Sequence, residues 1–71
     1  MHILADSPFV DHPLGDTRAR TRTGASIVAI VRNEEVLASP GPSEMLHVQD
    51  VLIVIGTEDG IAGVEKIIDK G

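Results

Sequence analysis

"GDTRARTRTGASIVAI", Gly15–Ile30, carries the two readings on which the fold turns. Its second half runs into "ASIVAIV", Ala25–Val31, a β-branched segment that suits a pleated surface and is predicted to be a buried strand. The first half is polar. Asp16 or Thr17 offers a side-chain oxygen to cap a short helix through about Thr23, and Gly24 is placed to end it. Propensity alone does not hold so short a polar helix, so it must be held by packing.

Upstream, "HILA", His2–Ala5, has the length and composition of an edge strand, and "DSPFVDHPLGD", Asp6–Asp16, with two prolines, is a connecting segment. Downstream, Arg32, Asn33 and Glu34 make a tight turn, and "EVLAS", Glu35–Ser39, is the returning strand. "PGPSEML", Pro40–Leu46, is a loop by composition, its two prolines stiffening a corner that can wall a ligand pocket. "DVLIVIG", Asp50–Gly56, is apolar at every interior position and is predicted to be the central strand. Thr57 or Glu58 opens a last helix, in which Ile61, Val64, Ile67 and Ile68 recur on one face. The order β-α-β-β-β-α implies an α+β domain, a sheet covered on one face by helices.

Seventy-one residues make one small domain, spanning residues 1–71, with a marginal core. With one Phe, no Trp, no Tyr and no Cys, that core is aliphatic and lacks disulfide or thiolate chemistry. Self-association or membership of a larger protein is the expected source of added stability. No apolar run approaches the ~20 residues of a membrane span, and the N-terminus lacks the basic and apolar regions of a signal peptide. The expected location is cytoplasmic, without direct membrane insertion. A net charge of -5 and the near absence of aromatic residues argue against nucleic-acid binding.

No catalytic constellation is visible, and the chain is not expected to be an enzyme. His2, His12 and His47 lack the spacing of a helical metal pair, so no metal site is expected. Ser26, in "GAS", lies outside a nucleophile elbow, and no glycine-rich phosphate loop is present. The acidic pair Glu58–Asp59 is explained by a helix N-terminus. What stands out is Arg18, Arg20 and Arg22, half of the six Lys and Arg residues, within five positions. On a continuous helix Arg18 and Arg22 share a face and Arg20 points about 200° away from Arg18. The plain reading is that all three are solvated and offset nearby Asp and Glu; Arg20, set opposite, could instead be aimed at the seam between helix and strand. A guanidinium there needs an anion, and a carboxylate or a phosphate would serve equally.

The ordered set of motifs resembles the TrkA-C, or RCK_C, domain. It comprises Leu14, a run ending "R-x-R-x-G" at Gly24, "SIVAI" with Arg32, "SPGP", and "L-x-x-x-D-V-L-x-V-x-G-T" from Leu46 to Thr57. The similarity extends from Ser7 to Ile68 and is nearest in character to the KhtT-like regulatory subunits of bacterial potassium/proton antiporters. The resemblance implies the β-α-β-β-β-α fold, homodimers, and control of a potassium transporter or cation/proton antiporter from the cytoplasmic side. It also implies a small anionic ligand, cyclic di-AMP, at the dimer interface, with no required cofactor. Carried over position by position, the ligand contacts are Leu14, Ala19, Arg20, Ala25, Ser26, Ile27 and Pro42, with Arg20 meeting phosphate and the aliphatic residues meeting adenine. The chain departs from the pattern at Ala19 and Ser26, where ligand-binding members often carry Ile and Asn. It also opens where a first strand begins, without the customary N-terminal partner domain, so an excised domain or a partner on a separate chain is expected. The alternative is a structural dimerisation module without ligand. The discriminating feature is whether Arg20 pairs with an internal carboxylate such as Asp16 or Glu34.

Overall fold

The computed structural model describes Met1–Gly71. Strand β1, Ser26–Arg32, pairs antiparallel with β2, Glu35–Ala38, and with β3, Val51–Ile55, giving the order β2-β1-β3. Helix α1, Ala19–Thr23, precedes β1, and helix α2, Glu58–Lys70, follows β3. The central strand is therefore β1, not the uniformly apolar β3. The expected first strand is reduced to one bridge, His2 to Val51, on the free edge of β3. Three backbone bonds still fix that segment: Ile3 N–H to the Asp50 carbonyl, Gln49 N–H to the Ile3 carbonyl, and Leu52 N–H to the Met1 carbonyl. They bury Ile3 completely.

β1 and β2 are joined by Asn33 and Glu34, both left-handed at φ 50° and 67°. Two positive φ values make a type I′ turn, whose twist matches that of the flanking strands. A bulge between Ile27 and Ala29 then re-aims the start of β1. The cross-strand partners Ile30 and Leu52 are buried and face Val64 and Ile68 of α2 within one core that also holds Leu14, Ala19, Ala25 and Leu46. On the other side of the sheet Val36, Ile53 and Ile55 remain exposed. This one-sided covering explains why β3 is apolar at every position without being central.

Helix α2 forms where the sequence places it. The Thr57 hydroxyl accepts from Gly60 N–H at 3.0 Å, Glu58 and Asp59 occupy the positive first turn, and Val64, Ile67 and Ile68 are buried. The chain before β1 is less regular than expected. A 3-10 turn at Leu14–Thr17 is followed by Arg18 in the left-handed region, φ 50° and ψ 33°, and only then by α1, which Gly24 ends at φ 80°. Neither Asp16 nor Thr17 stands at the N-cap of α1, which is Arg18 without a side-chain bond; the Thr17 hydroxyl instead donates to the Leu14 carbonyl at 2.9 Å and accepts from Ala19 N–H at 3.2 Å, bridging the 3-10 turn to α1.

Candidate functional site

The segments around Pro13 and around Pro42, both of loop composition, lie antiparallel to each other. Leu14 N–H meets the Glu44 carbonyl at 2.7 Å, Gly15 N–H the Pro42 carbonyl at 2.8 Å, Asp11 N–H the Leu46 carbonyl at 2.7 Å, and Leu46 N–H the His12 carbonyl at 2.9 Å. Prolines lack the N–H needed for a regular ladder, so pairing here takes the form of an isolated bridge between Pro13 and Met45. Gly15 permits the approach: a Cβ there would lie 3.0 Å from both the Cβ and the carbonyl oxygen of Pro42.

The far end of the same loop is pinned by a charged network. Asp50, buried to 1% exposure, receives Arg32 Nε at 2.9 Å, Arg32 Nη2 at 2.8 Å and the His47 N–H at 2.9 Å. Arg32 Nη2 also donates to the Met45 carbonyl at 2.8 Å, and Nη1 lies 3.6 Å from Glu44 Oε2. Burial by itself pushes the Asp50 carboxyl up, but the Arg32 and His47 donors and the nearby positive charge outweigh it and hold Asp50 below the usual carboxylate range. The Asp50 hydrogen bond, despite burial, raises Arg32. The bond to His47 N–H is the local kind by which Asp side chains fix their own turn. The larger partner of Asp50, Arg32, is eighteen residues away and is brought in by the pairing of β1 with β3.

Between the 3-10 turn, α1, the start of β1 and the proline loop lies an open cavity of about 360 Å³. Of the seven expected ligand positions it brings six together: Leu14, Ala19, Arg20, Ser26, Ile27 and Pro42. Ala25 lies outside the lining, 1% exposed in the core, with its Cβ 2.7 Å from where a Cβ on Gly56 would stand. The left-handed turn at Gly24 directs it inward, so in this structure its place is in packing. Pro40 extends the proline wall, and Thr17, Thr21 and Arg18 complete the rim; none of these was among the expected positions.

Arg18 corrects the helical reading of the arginine cluster. Because α1 begins only at Ala19, the 100° rule does not separate Arg18 from Arg20, and both line the cavity. Arg22 is the one set apart, donating to the Gly71 carbonyl at 3.3 Å beside Lys66 and Lys70 of α2. Ion pairs form at Arg32–Glu44 and Arg32–Asp50 only. Arg20 thus has no internal carboxylate, and Asp16, its nearest expected partner, sits 3.6 Å from His12 Nδ1 instead. Nowhere do three or more His, Cys, Asp or Glu side chains converge as metal ligands, and no helix is long and apolar enough to cross a membrane.

The α+β domain is what the element order anticipated, and the family assignment follows. The sequence pattern of the TrkA-C domain matches residues 2–69, and the chain belongs to that family. It is 41% identical over 66 residues to the Ktr system potassium uptake protein C of Bacillus subtilis, covering 93% of this chain and 30% of that one. It is 28% identical over 65 residues to the ammonium/H(+) antiporter subunit AmhM of Alkalihalophilus pseudofirmus, covering 92% and 39%. The chain thus spans well under half the length of these relatives.

Among solved structures, the RCK_C domain dimer of S. agalactiae BusR in complex with c-di-AMP superposes with a TM-score of 0.86 at 28% identity, covering 97% of this chain and 85% of that one. The RCK C domain of the potassium transport protein KtrA, in complex with c-di-AMP, gives 0.80 at 30% identity, with coverages of 93% and 78%. BusR has also been solved in complex with its busAB-promotor DNA, where the likeness covers 34% of the BusR chain. The fold therefore occurs inside a DNA-binding protein, a context that net charge alone did not anticipate.

Proposed function

We propose that this domain is a cytoplasmic regulatory module of a potassium transporter or cation/proton antiporter, that it works as a homodimer, and that cyclic di-AMP binds in the Arg20 cavity at the dimer interface. The observation that carries the reading is the convergence of six family positions on one cavity whose Arg20 has no internal anion. A guanidinium left without a carboxylate, above an aliphatic floor of Leu14, Ala19 and Ile27, suits a phosphate flanked by flat bases. Support also comes from the relatives named for potassium uptake and antiport and from the two folds solved with c-di-AMP. The likeness to BusR does not extend the proposal to DNA, because the three arginines diverge to two sites and no aromatic platform accompanies them. The domain is proposed to act by binding, not catalysis.

A purely structural dimerisation module is the second reading, favoured by the exposed Val36, Ile53 and Ile55 on the uncovered side of the sheet. Calorimetric titration with cyclic di-AMP, with ATP as control, separates the two. Saturable heat with the dinucleotide and none with ATP supports the ligand-binding module. Absence of heat with both leaves only the structural one.

A further inference from the structure

We propose that Arg18 is a second anion contact of this cavity, so that each protomer presents two guanidinium groups, Arg18 and Arg20, to the phosphate of its ligand; this rests on the ligand-binding reading above. Arg18 and Arg20 line the same cavity, and neither side chain makes an ion pair or an intramolecular hydrogen bond. Both residues are exposed, so water screens the repulsion between them, and an anion seated in the cavity would draw on both charges.

The backbone supplies an independent observation. Arg18 is left-handed, at φ 50° and ψ 33°, a conformation that Gly or Asn adopts at lower cost. Five other non-glycine residues have positive φ, at Asp11, Asn33, Glu34, Ser39 and Gln49, and none of them lines the cavity. Backbone bonds hold the conformation, from Arg18 N–H to the Gly15 carbonyl at 3.2 Å and from Arg22 N–H to the Arg18 carbonyl at 2.9 Å. The side chain contributes no bond to this turn, so the turn does not explain why a long cation occupies it. The kink has one geometric consequence: it breaks the helical register that would turn Arg18 about 200° from Arg20. A left-handed residue that also lines the cavity is a candidate binding position.

The test uses Arg18→Gly, which removes the guanidinium and relieves the left-handed strain, and Arg18→Asn, which also tolerates that conformation. Both should hold or raise the thermal midpoint, so a loss of binding is not a loss of folding. Titrated with cyclic di-AMP at two salt concentrations, each should bind about fivefold more weakly or worse, the loss of a charge-assisted contact. Arg18→Lys should recover part of the loss, and Arg22→Ala should match the wild type. Losses below about fivefold in both Arg18 variants, in a protein whose wild type binds and whose Arg20→Ala variant does not, overturn this proposal and leave the ligand reading standing. A wild type that takes up no cyclic di-AMP overturns both.

Discussion

Asp50 shows how much of the site rests on one residue that never touches it. The carboxylate ties the end of β1, through Arg32, to the loop whose other end carries Pro42. Replacing Asp50 by Asn keeps the size but forfeits the charge-assisted bonds, a loss of about 2 kcal/mol. In a domain this small that lowers the thermal midpoint by about 10 °C. Because the folded pKa lies below the unfolded one, the contribution of Asp50 is complete above about pH 4 and is lost as pH falls through the folded value. Denaturant unfolding should therefore show wild-type stability declining below about pH 4 more steeply than that of Asp50→Asn. Parallel declines would show that the carboxyl titrates as it does in the unfolded chain. The arginines teach a different lesson at this scale. The sequence singled out Arg20 as the arginine to set apart, but not Arg18, which lines the same cavity. Nothing in its side chain announces a left-handed backbone, and a helix drawn one residue too long put it on the wrong side.

Regular elements announced themselves through spacing. The α2 pattern of Ile61, Val64, Ile67 and Ile68, and the β-branched run of β1, each encode a face, and the structure uses both. The antiparallel pairing of Asp11–Gly15 with Pro42–Leu46 encodes nothing of the kind, because prolines interrupt its ladder and its partners are about thirty residues apart. That pairing nevertheless builds the proline wall. Adding a methyl group by Gly15→Ala would bring it to 3.0 Å from the Pro42 backbone carbonyl, where no flexible side chain can yield. The expected result is a cost of about 1–3 kcal/mol and weaker cyclic di-AMP binding than in the wild type, read by thermal melting and titration together. An unchanged midpoint with unchanged affinity would mean that the wall moves freely. The hairpin offers the opposite case. Glu34 occupies the second position of a type I′ turn at φ 67°, where Gly is preferred, so Glu34→Gly should raise stability by about 0.5–1 kcal/mol without altering binding. A lower midpoint would show that the Glu34 side chain supports the turn.

At the scale of the whole molecule, the fold class follows from element order, but the identity of the central strand does not. Uniform apolarity made β3 look central; the sheet instead leaves Ile53 and Ile55 exposed and places β1 in the middle. Apolarity reports burial in the working assembly, whereas strand order reports pairing within one chain, and the two diverge when a sheet has an uncovered side. A 71-residue aliphatic core with such a side is in keeping with a dimer. The central claim is that two chains share one dinucleotide, each contributing an Arg20 cavity. The most direct measurement is the calorimetric stoichiometry of cyclic di-AMP, at a protein concentration where sedimentation equilibrium gives the dimer mass. The account predicts about one ligand per two chains, abolished by Arg20→Ala with the dimer intact; one ligand per chain, or binding that survives Arg20→Ala, contradicts it.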